Sequence, residues 1–517
     1  MDQITILWAD DEIDLLKPQL LFLEKRGYEV ITVTNGYDAL EEIEENKEIA
    51  VVFLDESMPG LTGLETLPKI KAIRPHVPVV MITKNEAENV MEEALGSQIS
   101  DYLIKPVNPN QILLSLKKLI DNKRLVREKT SSDYQQEFRQ ILMQINSGLD
   151  YEEWVEIYRR IVNWEIKIDQ SNSTEMADIL AMQKQEANIA FSKYIIKNYL
   201  NWTTKDEGPI KSNNLMRSKV FPHVNQDKPT IFLLLDNLRY DQWKIIEPIL
   251  SEQFRVQQED YFYSILPTAT QYSRNAIFSG MMPSNIAKRF PQWWKNDNDE
   301  GGKNLFEHEL LSELVKRTFR WDVKFDYTKI TNVGQAKTLQ DNIHNYLNND
   351  LTVIVYNFID MLSHARTEME VLKELASDER AYRSLTRSWF TNSPLWAALR
   401  RIAEHDINLI ISTDHGTIRV NQPSKVIGDR ETTTNLRYKV GRNLQYQRKD
   451  VLEVRDPGKG GLPKPNVSST FIFAKEDKFF LYPNNYNYYN NYYKNTFQHG
   501  GISLEEMICP VISMVSK

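Results

Sequence analysis

Two sets of carboxylates, one toward each end of the chain, follow short apolar runs. In the first set, Asp10 and Asp11 follow Ile4–Ala9, and Asp55 follows Val51–Leu54. Thr83 closes Val79–Thr83, and Lys105-Pro106 follows Tyr102–Ile104. These runs alternate with amphipathic stretches such as Leu15–Lys25 and Ala39–Glu45, which predicts parallel βαβ units with buried strands. In a parallel α/β sheet the carboxyl ends of the strands share one crevice. Three carboxylates crowded there repel one another unless a hard divalent cation sits among them. Mg2+ held by Asp11, Asp55 and the carbonyl of Ser57, with Asp10 alongside, would hold a phosphoryl donor. Asp55 would then attack as nucleophile, while Lys105 and the Thr83 hydroxyl neutralise and bond the phosphoryl oxygens.

The second set mixes carboxylates with imidazoles. Ile231–Leu235 runs into Asp236, and Val353–Ile359 runs into Asp360 with His364 four residues on. Leu409–Thr413 runs into Asp414-His415-Gly416, and His499-Gly500-Gly501 lies near the end. Asp with His is the ligand chemistry of Zn2+, or of Mn2+ where carboxylates dominate. Six such ligands exceed one tetrahedral ion and suit two, standing ~4 Å apart and clamping a phosphoryl group. The turn Leu266-Pro-Thr-Ala-Thr-Gln-Tyr-Ser-Arg-Asn supplies a nucleophile, Thr268 or Thr270, at the start of a predicted helix. There the helix dipole and free N–H groups favour phosphate oxygens. Arg274 and Asn275 are candidates for the outer oxygens by proximity to Thr270 alone.

The first set resembles the receiver family of response regulators over about 120 residues, with each signature position filled. That resemblance implies phosphorylation of Asp55 by a sensor histidine kinase, and it makes Tyr102 the aromatic that moves with Thr83. Residues 225–517 resemble the alkaline phosphatase superfamily in its PglZ branch. The resemblance implies two zinc ions, one held by Asp236, Thr270, Asp414 and His415, the other by Asp360, His364 and His499. By that alignment Thr270 is the nucleophile and Thr268 the runner-up. The pairing of both parts resembles the response regulators tied to type IX secretion in Bacteroidota. It implies phosphodiesterase activity on a nucleotide or oligonucleotide and control of secretion genes through a sigma factor or other transcription protein.

At 517 residues the chain exceeds one ordinary core. The expected architecture is multidomain α/β: a doubly wound (βα)5 receiver over 1–122, a central helical bundle over 123–205 and an alkaline-phosphatase-like α/β domain over 206–517. In the middle part Trp154, Ile157, Tyr158, Ile161 and Val162 repeat at helical spacing. Helix starts are expected at Asp133, Asp150 and Ser173. The Asn/Tyr run Pro483–Tyr493 is expected to be a surface loop, whose rings either stack bases or simply decorate an insertion. A complete receiver switch predicts a phosphorylation-promoted homodimer. Net charge −8, with no recognition helix or Walker motif, argues against direct DNA binding and an ATPase output. The single cysteine, Cys509, excludes an intrachain disulfide framework. No basic leader or apolar run of ~20 residues is present, so a cytoplasmic protein without membrane insertion is expected. A competing reading keeps the metal site structural or ligand-binding, and makes the protein a phosphorylation-switched module that works by protein contacts.

Overall fold

The computed structural model describes residues 4–84, 99–171, 174–205, 208–368 and 378–517; the side chains of 120–132, 171, 174–175 and 364–368 are outside that description. Packing divides the chain into two compact units, Met1–Gln135 and Gln136–Lys517.

The first unit is built on five strands: β1 (Ile4–Ala9), β2 (Tyr28–Val33), β3 (Ile49–Asp55), β4 (Val79–Thr83) and β5 (Asp101–Ile104). Their order is β2-β1-β3-β4-β5, with every pairing parallel. Parallel strands covered on both faces must be apolar throughout, and Ile6, Leu7, Trp8 and Ala9 are all fully buried. Helices α1 (Lys17–Glu24), α2 (Gly36–Glu45) and α3 (Gly63–Ile73) lie between the strands. The start of α3 is fixed by a capping box, in which Thr62 and Glu65 satisfy each other's backbone N–H groups. Gly63 is required by close approach, since a Cβ there would stand 2.2 Å from the carbonyl oxygen of Asp55. The acid that ends β3 therefore packs directly against the following helix.

Helix α4 (Pro109–Ser147) runs unbroken through Asp133, so the helix start expected there is corrected. Asp133 is exposed while Tyr134 beside it is buried, and no glycine or proline interrupts the stretch after Pro109. A solvent-facing aspartate carries only a modest propensity cost and does not by itself end or start a helix. Gly148, at φ 84°, ends the helix. Asp150 does start α5 (Tyr151–Ser171), its Oδ1 accepting from the N–H groups of Glu152 and Glu153 at 2.9 Å each. Ser173 lies outside the described residues, and α6 spans Thr174–Thr204.

The second unit also contains a six-stranded sheet of β6 (Thr230–Leu235), β7 (Phe254–Tyr263), β8 (Phe325–Ile330), β9 (Leu351–Tyr356), β10 (Asn408–Ser412) and β11 (Ile508–Ser516). The order is β7-β11-β10-β6-β9-β8. The four strands β10, β6, β9 and β8 are parallel, and β11 pairs antiparallel with β10 and β7. Every residue of β6 and β9 is buried. Their carboxyl ends, with that of β10, point the same way and deliver Asp236, Asp360 and Asp414 to one rim. Helices α7 (Tyr240–Leu250), α8 (Thr270–Ser279), α9 (Phe358–Glu368) and α10 (Glu379–Asn392) surround that rim. The expected loop Pro483–Tyr493 is corrected in part, because Tyr486–Tyr493 forms α11. Tyr486 and Tyr493 pack against the apolar cluster of Ile418, Val420, Phe479 and Leu481, which stabilises a helix that composition alone disfavours.

Candidate functional site

At the carboxyl end of the first sheet, Asp10, Asp11 and Asp55 each bring a carboxylate oxygen within 4.8 Å of the others. Asp10 and Asp55 are buried and Asp11 is exposed. Lys105 Nζ stands 3.1 Å from Asp10 and 2.9 Å from Asp55. Burial raises the Asp55 pKa, Asp10 adds to the rise and the Lys105 ammonium opposes it. Burial works against charge on Lys105, but the Asp55 and Asp10 carboxylates outweigh it and raise its pKa. Three carboxylates facing one ammonium leave a negative excess that suits a divalent cation. Thr83 Oγ1 donates to Glu56, a residue the sequence reading did not single out. Ser57 is exposed two residues beyond Asp55, and Tyr102, the second residue of β5, is 46% exposed.

In the second unit, Asp236, Asp414 and His415 form a buried group, again within 4.8 Å of one another. His415 Nε2 lies 3.8 Å from Asp414 Oδ2. His499 Nε2 lies 3.9 Å from Asp360 Oδ1, and the rings of His415 and His499 stack at 4.3 Å between centroids. His364 falls within α9, but its side chain is outside the described residues. Five of the six expected Asp and His ligands are therefore seen together.

The two threonines are placed differently. Thr270 opens α8, and its hydroxyl lies 3.1 Å from His415 Nε2 on the wall of a cavity of about 590 Å3. Thr268 is fully buried, and its hydroxyl is engaged by the carbonyl of Gly501 and the N–H of Gly500, each at 3.0 Å.

The donor set fits a metal in its tautomers as well as its composition. His415 Nδ1 stands 3.0 Å from the carbonyl of Gly416, and His499 Nδ1 stands 3.1 Å from that of Thr268. A carbonyl can only accept, so each Nδ1 carries the proton and each Nε2 lone pair faces the carboxylates, the usual arrangement of a metal-binding imidazole. Asp236 Oδ1 is buried and accepts no hydrogen bond among the described residues. Burial raises the Asp236 pKa, Arg274 opposing, whereas Asp414 is held far below the ordinary carboxylate range against burial, chiefly by Arg274.

Arg274, which the sequence reading marked only for its nearness to Thr270, is fully buried at the centre of this group. Its guanidinium meets Asp236, donates to Asp414 at 3.0 Å and lies 3.7 Å from Glu307. Lys329 Nζ is 2.9 Å from Glu307. Among the described residues, Asp236, Asp414 and Glu307 thus face Arg274, Lys329 pairs with Glu307, and the charge of Asp360 acts on Asp236, leaving a negative excess that divalent ions would offset. Asn237, at φ 67°, turns the chain after Asp236; its N–H donates to Asp414 at 3.3 Å and its amide to Asp360 at 3.4 Å. Glu307, Lys329 and Asn237 were missed, and only Asn237 had a local signal, an asparagine next to a strand-end aspartate. Asn275, the other residue near Thr270, is buried and donates to the carbonyls of Gln271 and Lys303 rather than facing the cavity oxygens.

Three family models match successive stretches of the chain. The response regulator receiver domain matches residues 6–117, the PorX response regulator linker domain 124–203, and the BREX system PglZ alkaline phosphatase-like domain 215–514. Among curated proteins, the transcriptional regulatory protein ZraR of Klebsiella oxytoca is 36% identical over 124 residues, 24% of this chain and 28% of that protein. The CpxR homolog of Haemophilus influenzae is 34% identical over 117 residues, 22% of this chain and 49% of that protein. The chain thus spans less than half the length of either. A receiver domain protein from Clostridium thermocellum is 33% identical, covering 23% of this chain and 97% of that one with a TM-score of 0.22. No helix among the described residues is long and apolar enough to cross a membrane.

Proposed function

The chain belongs to the PglZ alkaline phosphatase-like family, carried behind a response-regulator receiver and a PorX-type linker, and from that premise we propose that it is a phosphorylation-controlled, zinc-dependent phosphodiesterase. The observation that carries the reading is Thr270 at the cavity wall, beside His415 and at the N-terminus of α8.

Zinc bound by Asp236, Asp414 and His415, and by Asp360, His364 and His499, would lower the pKa of the Thr270 hydroxyl and offset phosphoryl charge. Thr270 Oγ1 stands 3.1 Å from His415 Nε2, the lone pair that zinc would take, so the hydroxyl lies beside a ligand of the ion that would activate it. Thr270 Oγ attacks the phosphorus of a diester, and a Thr270–phosphorus bond forms as the ester oxygen of the first alcohol departs and takes up a proton. Water then cleaves the phosphothreonyl ester and regenerates the hydroxyl. The N–H groups opening α8, together with Arg274, stand where non-bridging oxygens would gather. Lys303 and Lys329 line the same cavity and favour an anionic substrate such as a nucleotide or oligonucleotide.

In the receiver, Asp55 accepts a phosphoryl group from a sensor histidine kinase, with Mg2+ held by Asp10, Asp11, Asp55 and the Ser57 carbonyl. Lys105 and Thr83 bond the transferred group, and Tyr102 follows Thr83. The phosphorylated chain pairs with a second copy, and its output reaches type IX secretion genes through a sigma factor or another transcription protein. The protein works in the cytoplasm. A second reading has one observation behind it: Arg274 already engages both Asp236 and Asp414, an arrangement that also suits a site that captures a phosphoester without turning it over.

Hydrolysis of bis-p-nitrophenyl phosphate by the wild type, Thr270→Ser and Thr270→Val separates the two readings. The phosphodiesterase reading expects activity from the first two and none from the third. Equal rates from all three would refute the threonine nucleophile, and binding without turnover in the wild type would favour the capture module.

A further inference from the structure

Glu505 and Glu506 are consecutive in the short helical turn Leu504–Met507, yet their side chains make contacts on opposite sides of it. Glu505 reaches the linker: it lies 3.1 Å from Lys184 Nζ and accepts from the Asn188 amide at 3.1 Å. Asn188 also accepts the N–H of Leu504 at 2.8 Å, and Lys184 is held on its other side by Glu165 at 2.9 Å. All of these linker residues belong to α5 or α6 and to the same compact unit as the cavity.

Glu506 is fully buried and reaches the other way. It accepts the N–H of Gly501 at 2.8 Å and contacts Arg437 at 2.6 Å, with the Thr268 hydroxyl at 3.4 Å. Thr268 in turn binds Gly500 N–H through its hydroxyl and His499 Nδ1 through its carbonyl. The same turn backs onto the other histidine. The carbonyl of Glu506 accepts the N–H of Gly416 at 3.2 Å, and a Cβ on Gly416 would stand 2.0 Å from the carbonyl oxygen of Glu505.

We propose that Lys184 and Asn188 of the linker are positioning residues of the hydrolytic site, acting through the Glu505–Glu506 turn on His415, His499 and Thr270. The linker is then a working part of the catalytic unit, and any movement of α6 reaches the metal-binding imidazoles through two adjacent side chains. This inference rests on the zinc phosphodiesterase reading. Groups that orient metal ligands from behind are worth about 10- to 100-fold in metal affinity or activity.

The test uses the full chain with Asn188→Ala, Lys184→Met and the isosteric Glu505→Gln. Zinc affinity is read by competition with a chromogenic chelator, and kcat and KM are read on bis-p-nitrophenyl phosphate. Each folded variant is expected to lose about 10- to 100-fold in zinc affinity or kcat with KM little changed. The Lys184→Met/Glu505→Gln double variant should fall no further than the worse single. Arg160→Met, which breaks an equally direct ion pair with Glu137 inside the linker, should leave both quantities at wild-type values. Glu505→Gln changes only charge and keeps the question answerable if Lys184→Met fails to fold. Wild-type zinc affinity and kcat in the folded variants would overturn the proposal. An inactive wild type would instead sink the hydrolytic reading, and zinc affinity would still decide the coupling.

Discussion

Replacing Arg274 by methionine removes a guanidinium that faces both Asp236 and Asp414 while keeping much of its volume. All three groups are essentially inaccessible to solvent, so two buried carboxylates lose their counter-charge. Breaking a buried pair from one side costs about 3–5 kcal/mol. For a unit the size of Gln136–Lys517 that is roughly 4–6 °C in the unfolding midpoint, measured in chelator. Asp414, held low in the folded protein, contributes stability above its unfolded value of 3.8 and loses it as pH falls through the folded value. The variant lacks that contribution, so its deficit should be largest near neutral pH and shrink on acidification. Zinc at about a thousandfold excess over its Kd would return about 4 kcal/mol. Because the ion no longer competes with the guanidinium for Asp236 and Asp414, zinc should raise the midpoint of Arg274→Met more than that of the wild type. Thermal unfolding of both proteins in chelator and in zinc makes the comparison. A variant as stable as the wild type in chelator, or a smaller zinc effect in the variant, would refute this description of the site.

Other outcomes follow from the same structure. Lys439 is buried with its amine donating to the Thr433 carbonyl, and burial lowers its pKa from 10.5 to about 7. Between those values the unfolded chain keeps a proton that the folded protein has shed, so this residue makes stability rise with pH by about 1.4 kcal/mol per unit. Urea midpoints from pH 7 to 10 should show that slope in the wild type and lose much of it in Lys439→Met; an unchanged slope would contradict the assignment. Asp55→Asn should abolish acceptance of the phosphoryl group from acetyl phosphate, and sedimentation should show beryllofluoride-promoted dimers of the wild type but not of the variant. Equal mass with and without beryllofluoride would remove dimerisation from the account. Gly63→Ala should unfold the receiver at a lower temperature, because its Cβ would meet the carbonyl of Asp55 at 2.2 Å.

Much of the fold was legible because parallel strands buried on both faces must be written as apolar runs. Thr230–Leu235 and Val79–Thr83 appear in the structure with the bounds their residues suggest. The acids were legible for a related reason: a charged residue directly after such a run stands at the strand's carboxyl end, where the crevice is. What could not be read was what reaches the crevice from elsewhere. Arg274 looked like one more residue near a threonine, and only packing of α8 against the rim places its guanidinium between two acids. Glu307 begins an ordinary amphipathic helix, and nothing local reveals that it faces Arg274. Nothing local reveals that the fold buries both Glu505 and Glu506. The helix Tyr486–Tyr493 was misjudged because tertiary packing overrode weak local preference, and the continuity of α4 because an exposed aspartate is tolerated inside a helix as well as at its start.

The central claim is that Thr270 works as a nucleophile at a two-zinc site. Its most direct test counts bound zinc on the same protein samples whose hydrolysis of bis-p-nitrophenyl phosphate is measured, for the wild type and Thr270→Val. The account predicts about two zinc ions per chain in the wild type, retention of bound metal in the variant and turnover in the wild type alone. Turnover surviving in a zinc-loaded Thr270→Val protein, or a wild type that turns over with no bound metal, would contradict it.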